Sequence, residues 1–186
     1  MSYIVDIACG SNTLTHDDYL EFLKYAFERC DRFMLVYVNF YNKGYSANVK
    51  KIMQELSPYE IYRRTDPKWA GTVVFQSDTN SAAAKATRYK IVFYRTEKPA
   101  YEILSKVEDL FKFIYPNNPQ DLGFFIGNKC WFYSVAHEKI ASVICANEED
   151  VNKLRDMELS TDENTHKLND RGIEAYGKFD ESYKGV

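Results

Sequence analysis

The chain has 186 residues, 45% of them hydrophobic and 27% charged, with a formal net charge of −3. That length and balance fit one globular domain able to bury its own core, and they exclude a disordered or fibrous chain. No apolar run reaches the roughly 18 residues a membrane span needs, so no membrane partner is expected.

The charge is unevenly spread. Residues 1–31 carry six acids and two bases, residues 32–146 ten acids and sixteen bases, and residues 147–186 eleven acids and six bases. Aromatics are abundant, with 15 Tyr and 12 Phe against 2 Trp. So many tyrosines predict that some lie at the surface, where an amphipathic ring suits a contact face. The four cysteines, Cys9, Cys30, Cys130 and Cys145, form no C-x-x-C pair. Together with an N-terminus that has no basic start or long apolar stretch, this spacing predicts reduced thiols and a cytoplasmic protein.

In chain order, Tyr3–Ala8 reads as a short strand broken by Gly10-Ser11-Asn12. Thr15 caps a helix that runs to Cys30 on Tyr19, Leu20, Leu23 and Phe27. Phe33–Phe40 is nearly all apolar and predicts a central strand. Ser46 caps a second helix ending at Ser57-Pro58, and Tyr59–Arg64 alternates like an edge strand. Thr72–Gln76 is a short strand, Ser77–Ala84 a loop, and Lys85–Arg95 a long strand with Tyr89, Ile91 and Phe93 on one face. Pro99 opens a third helix whose apolar face runs from Tyr101 to Ile114. Leu122–Ile126 and Lys129–Val135 form a hairpin about a Gly127-Asn128 turn of type II′. Ile140–Cys145 is one more strand, and Asn147 caps a fourth helix with Glu148, Glu149 and Asp150 in its first turn. The pattern predicts an α+β domain over residues 1–158, a mostly antiparallel sheet of five to seven strands with packed helices. Residues 159–186 read as a polar C-terminal tail outside the core.

Three constellations carry chemistry. Cys130, His137 and Glu138 have the residue types of a thiol nucleophile, its base and an orienting acid. An extended strand from Cys130 would hold His137 about 20 Å away, which favours a structural cysteine and a turn. Second, Arg88, Lys90, Tyr94 and Arg95 interleave cations with an aromatic ring, as single-stranded nucleic acid requires. Third, Asp17, Asp18 and Glu21, with Glu148, Glu149 and Asp150, put acids at two helix starts. There they favour the helix dipole and also offer an acidic face to a basic partner. Three histidines, His16, His137 and His166, do not make a metal site. No metal or cofactor is expected.

Trp69-x-Gly71-Thr72, then Asp121-Leu122-x-Phe124-Phe125, Cys130-Trp131 and His137-Glu138, resembles a group of short, uncharacterised bacterial proteins. The likeness spans Trp69 to Cys145 and departs at Ala70, where the group favours proline. In size, acidity and aromatic load the chain also looks like toxin-immunity proteins and phage inhibitors of bacterial defence, including anti-CRISPR proteins. These likenesses imply bacterial or phage origin. The function expected is a non-catalytic inhibitor or immunity-type protein that neutralises a larger protein or nucleoprotein, such as a nuclease or toxin. Asp17, Asp18, Glu21, Glu148, Glu149, Asp150 and Tyr94 would form its contact surface. The alternatives are a nucleic-acid binder using Arg88, Lys90, Tyr94 and Arg95, and a Cys/His enzyme.

Overall fold

A computed structural model describes residues 1–9, 14–39, 43–66 and 88–180. The strands are β1 (Ser2–Cys9), β2 (Arg32–Asn39), β3 (Glu60–Asp66), β4 (Arg88–Arg95), β5 (Gln120–Ile126), β6 (Lys129–Val135), β7 (Ile140–Ala146) and β8 (Thr165–Leu168). They form one 8-stranded sheet in the order β3-β4-β2-β5-β6-β7-β1-β8. Every neighbouring pair is antiparallel. The α+β class is as the sequence predicts, with more strands than the predicted five to seven. Thr72–Gln76 and the Ser77–Ala84 loop lie outside the described residues.

Four helices cover one face: α1 (His16–Arg29), α2 (Ala47–Leu56), α3 (Lys98–Leu104) and α4 (Glu148–Asp156). Phe22 and Leu23, Val49 and Leu56, Ala100 and Leu104, and Val151 and Leu154 share one core with Phe33, Leu35, Tyr94, Phe124 and Phe132 of the sheet. Local chemistry starts each helix where expected. Thr15 and Asp18 form a capping box on α1, Ser46 caps α2, and Asn147 with Asp150 forms a second box on α4.

The third helix is much shorter than its periodicity predicts. It stops at Leu104, and the apolar face continues through turns and a 3-10 segment, Leu110–Lys112. Ser105 Oγ donates to the Glu102 carbonyl, and Asp109 accepts from the Phe111 amide. These local bonds compete with helix continuation, while Val107, Leu110 and Phe113 stay buried.

The expected C-terminal tail is also corrected. Residues after Leu159 supply β8, a fifth helix α5 (Asp170–Tyr176) and a 3-10 turn, Gly177–Phe179. Phe179 stacks on Tyr133 with centroids 3.9 Å apart, and joins the core on the sheet face opposite α1–α4. Asp180 accepts from the Cys130 amide at 2.9 Å and from Lys129 Nζ at 2.5 Å. Polar composition hid this segment because backbone pairing to β1 and two anchors hold it, not an apolar stripe.

The connections follow a rule. The unit β2-α2-β3 straddles β4, and β4-α3-β5 straddles β2, which is the β-α-β-β-α-β connectivity of a ferredoxin-like unit. The other four strands repeat the order in reverse. There β7-α4-β8 straddles β1, and α1, following β1, rests through Phe22 on Trp131 and Phe132 of β6. An approximate twofold axis normal to the sheet, between β5 and β6, therefore relates β2 to β7, β4 to β1, β3 to β8, α2 to α4 and α3 to α1. The β5–β6 hairpin sits on that axis. Gly127 has φ +60° and Asn128 is not among the positive-φ residues, as a type II′ turn requires.

Candidate functional site: the charged helical face

The Cys-His-acid constellation is not assembled. Cys130 begins β6 and His137 lies in the 3-10 turn, Ala136–Glu138, past its other end. The Cys130 thiol is buried and donates to the Phe132 carbonyl at 3.2 Å. His137 Nε2 lies 3.6 Å from Glu138 Oε1. Trp131 is an extra residue on β6, since Phe125 pairs with Cys130 while Phe124 pairs with Phe132. This bulge breaks the expected alternation. Trp131 and Phe132 both face α1, and Cys130 and Tyr133 face the opposite core.

What fixes the His137 turn is a residue that sequence reasoning passed over. Asp121 is fully buried at φ +50°, and its carboxylate accepts from the Ala136 amide at 2.9 Å. Ser134 Oγ bridges the amide and carbonyl of Leu122, both at 3.0 Å.

The basic strand does not present the expected patch. β4 lies between β3 and β2 with core on both faces, so alternation does not expose every second residue. Tyr94, expected at the surface, is 0% exposed and shares a 2.7 Å hydrogen bond with the Tyr37 hydroxyl. Lys90 Nζ sits 5.3 Å above the Tyr45 ring. Arg95 bonds Glu97 at 2.6 Å and the Pro58 carbonyl at 2.8 Å. Arg88 is exposed at the start of the strand. On β3, Arg63 pairs with Glu60, and Arg64 lies 2.8 Å from Asp66. The structure thus spreads these cations among partners and removes the ring meant to stack a base.

The same correction holds for tyrosines generally. All except Tyr41 and Tyr183, which lie outside the described residues, are buried or half-buried. Three hydroxyl contacts lie inside the fold: Tyr19 donates to the Leu104 carbonyl at 2.9 Å, Tyr25 to Asp150 at 2.8 Å, and Tyr37 bonds Tyr94. Burial pushes the Tyr133 phenol up to about 12.

The acids are placed more suggestively. Asp17, Glu21, Lys24 and Glu28 are all exposed and fall at helical spacing along one side of α1. From Asp17 to Glu28 the stripe is about 16 Å long at about 1.5 Å per residue. Asp18 is held back in the capping box with Thr15, its Oδ2 accepting the Thr15 amide at 3.0 Å. Asp150, expected in the contact surface, is buried instead. It accepts from Arg29 Nε at 2.7 Å, the Tyr25 hydroxyl at 2.8 Å and the Asn147 amide at 3.0 Å. Burial works against its charge, and the Arg29, Asn147 and Tyr25 bonds outweigh it, holding the carboxyl below the ordinary range. This clamp seats the start of α4 beside the last turn of α1. Of the exposed acids at that start, Glu149 lies near Tyr25 of α1, while Glu148 lines a pocket with Tyr3, Arg155, Asp162 and Lys167 on the β1 and β8 side. Tyr25 and Arg29 are spaced i, i+4 on one helix face, the sequence signal from which the clamp could have been found.

Among the described residues, no grouping of three His, Cys, Asp or Glu side chains could hold a metal ion, and no helix is long and apolar enough to cross a membrane. The Trp69-x-Gly71-Thr72 part of the bacterial resemblance lies outside the described residues. No protein-family model, no curated protein and no solved structure matches the chain.

Proposed function

We propose that the protein is a non-catalytic binding protein that neutralises a larger, basic partner, such as a nuclease or toxin, as toxin-immunity proteins and phage inhibitors of bacterial defence do. The observation that supports this reading is the acidic stripe of Asp17, Glu21 and Glu28 on α1, with Glu149 near it at the start of α4. It stands on two capped helices joined by the Asp150 clamp, so its charges keep fixed spacing. A preset row of like charges raises the encounter rate with an oppositely charged surface and selects against wrong partners. Asp17, Glu21, Glu28 and Glu149 act at this surface, while Asp18 and Asp150 hold the frame beneath it.

Lys24 lies within the stripe and serves as a reporter. The protein is purified with its bound partner from native cells and treated with an amine cross-linker. The expected result is a basic protein linked at Lys24, with binding that weakens as salt rises. Replacing Glu21 and Glu28 by lysine should weaken binding at least tenfold and leave the thermal melt in place. Cross-links that form at Lys90 and spare Lys24, or turnover of a small molecule by the isolated protein, would defeat the reading.

A further inference from the structure

The approximate twofold axis makes two connections equivalent, β2 to α2 and β7 to α4. In the first, residues 40–45 separate the strand from the helix cap Ser46. Tyr45, the last of them, packs against the helix-side core. Its ring centroid lies 6.2 Å from that of Tyr37 on β2, and Lys90 Nζ of β4 sits 5.3 Å above it. The second connection has no such segment. Ala146 ends β7, and Asn147 is already the cap of α4. A methyl group therefore precedes the cap where the other half carries a phenol ring. Tyr3, which pairs with Ala146 across the ladder, forms one wall of a pocket of about 320 Å³ at this place. Val151 and Asn152 of α4 form the facing wall.

Both signs of charge line this pocket, and they are not equally engaged. Arg155 is held by Asp162 at 3.0 Å. Glu148, in the first turn of α4, and Lys167, opposite Tyr3 on β8, are exposed and have no ion pair among the described residues. We infer that the pocket binds a free aromatic α-amino acid. The ring takes the place between Tyr3 and α4 that Tyr45 fills in the other half, the ammonium group meets Glu148, and the carboxylate meets Lys167. The volume lies within the roughly 300–1,000 Å³ of small-molecule sites. A tyrosine wall and a lysine beside the ring repeat the contacts that hold Tyr45. An anion alone would face Glu148 and Asp162, and a cation alone would face Arg155 and Lys167, so the lining selects a ligand that carries both charges. No residue of α1 lines the pocket, and the inference does not depend on the acidic stripe.

The test is a titration of the ¹⁵N-labelled full chain with L-phenylalanine, followed by amide chemical shifts. Saturable shifts are expected at Tyr3, Lys167 and the first two turns of α4, with α2 and α3 unmoved as an internal control. Glu148→Gln and Lys167→Gln should each raise the Kd about fivefold, the most that one exposed ion pair supplies. Asn152→Trp, which fills the pocket from an exposed position, should abolish saturation, and circular dichroism should show all three variants folded. L-alanine lacks the ring and N-acetyl-L-phenylalanine amide lacks both charges. Each should bind the unaltered protein at least tenfold more weakly than phenylalanine. The inference is overturned by no saturation up to about 1 mM, where binding is worth only about 4 kcal/mol. It is equally overturned by shifts centred away from α4 and β8, by variants that bind as the wild type does, or by either control ligand binding as tightly as phenylalanine.

Discussion

Asp150 joins three jobs in one carboxylate. It closes the capping box with Asn147, accepts the Tyr25 hydroxyl and pairs with Arg29. Asp150→Ala leaves those donors facing one another without an acceptor and should cost about 2–4 kcal/mol in urea denaturation. Asp150→Asn keeps an acceptor for the cap and should cost less. The pH dependence follows from the lowered carboxyl. In the folded protein Asp150 holds its charge below the ordinary value of 3.8, so the unfolded chain takes up the proton first as pH falls. Its contribution is full above 3.8 and drains away as pH drops through the folded value. Acid unfolding of the wild type should therefore be steeper below that point than unfolding of Asp150→Asn. A parallel slope for the two proteins would show that the clamp carries no charge-dependent stability. A second residue-scale expectation concerns the buried Tyr37–Tyr94 pair. Tyr94→Phe strands the Tyr37 hydroxyl and should cost about 1–3 kcal/mol, whereas the double phenylalanine variant should recover part of that loss. Strictly additive losses would mean the hydroxyls do not depend on each other.

At the scale of elements, the segment after Leu159 makes the sharpest prediction. Phe179 fills a place against Tyr133 on the sheet face away from α1–α4. Phe179→Ala should destabilise by about 3 kcal/mol, read as a lower urea midpoint at unchanged slope. Asp180→Ala should also speed hydrogen exchange at the Cys130 amide, which it caps. Exchange no faster than in the wild type would return the segment to the status of a loose tail. The contrast between elements explains what could be read in advance. Starts of α1, α2 and α4 were legible because Thr15, Ser46 and Asn147 bond amides three residues on, a purely local event. The Gly127 turn was legible for the same reason. The end of α3 was not, because turns continue to bury Val107, Leu110 and Phe113, and burial alone imitates helical periodicity. Nor was the Trp131 bulge, which exists only through the register of a neighbouring strand. The candidate site divides the same way. Exposed acids on α1 followed from spacing, but Asp150 turned inward because Arg29 and Tyr25 lay 121 and 125 residues away in sequence.

Across the whole molecule, the two halves share a plan and differ in what they show to solvent. One seam of the helical layer is locked by an internal ion pair and borders the acidic stripe. The other is a groove lined by Lys51, Lys106 and Lys112 together with Glu55 and Glu108. The opposite sheet face owes its core to Met34, Val36, Ile91, Phe93 and Phe179, with no part in either surface. Charge-reversal at Glu21 and Glu28 should accordingly alter binding and its salt dependence without shifting the thermal melt, since both are exposed and lie outside the first turn of α1.

The place of β1 has a consequence for synthesis. It is made before the other seven strands of the sheet, yet its partners are β7, whose Ile140 pairs with Cys9, and β8, whose Thr165 pairs with Val5. About 130 residues must emerge before either edge of β1 can be satisfied, which takes about 7–25 s at about 5–20 residues per second. The half comprising β2 to β5 is complete at Ile126, shortly before β7 begins at Ile140. A nascent chain thus carries an unpaired apolar strand, Tyr3-Ile4-Val5, until Ile140 has emerged. Chaperone capture and mispairing would both act in that interval. Slowing the ribosome between residues 9 and 140 would lengthen the exposure, and slowing it later would not.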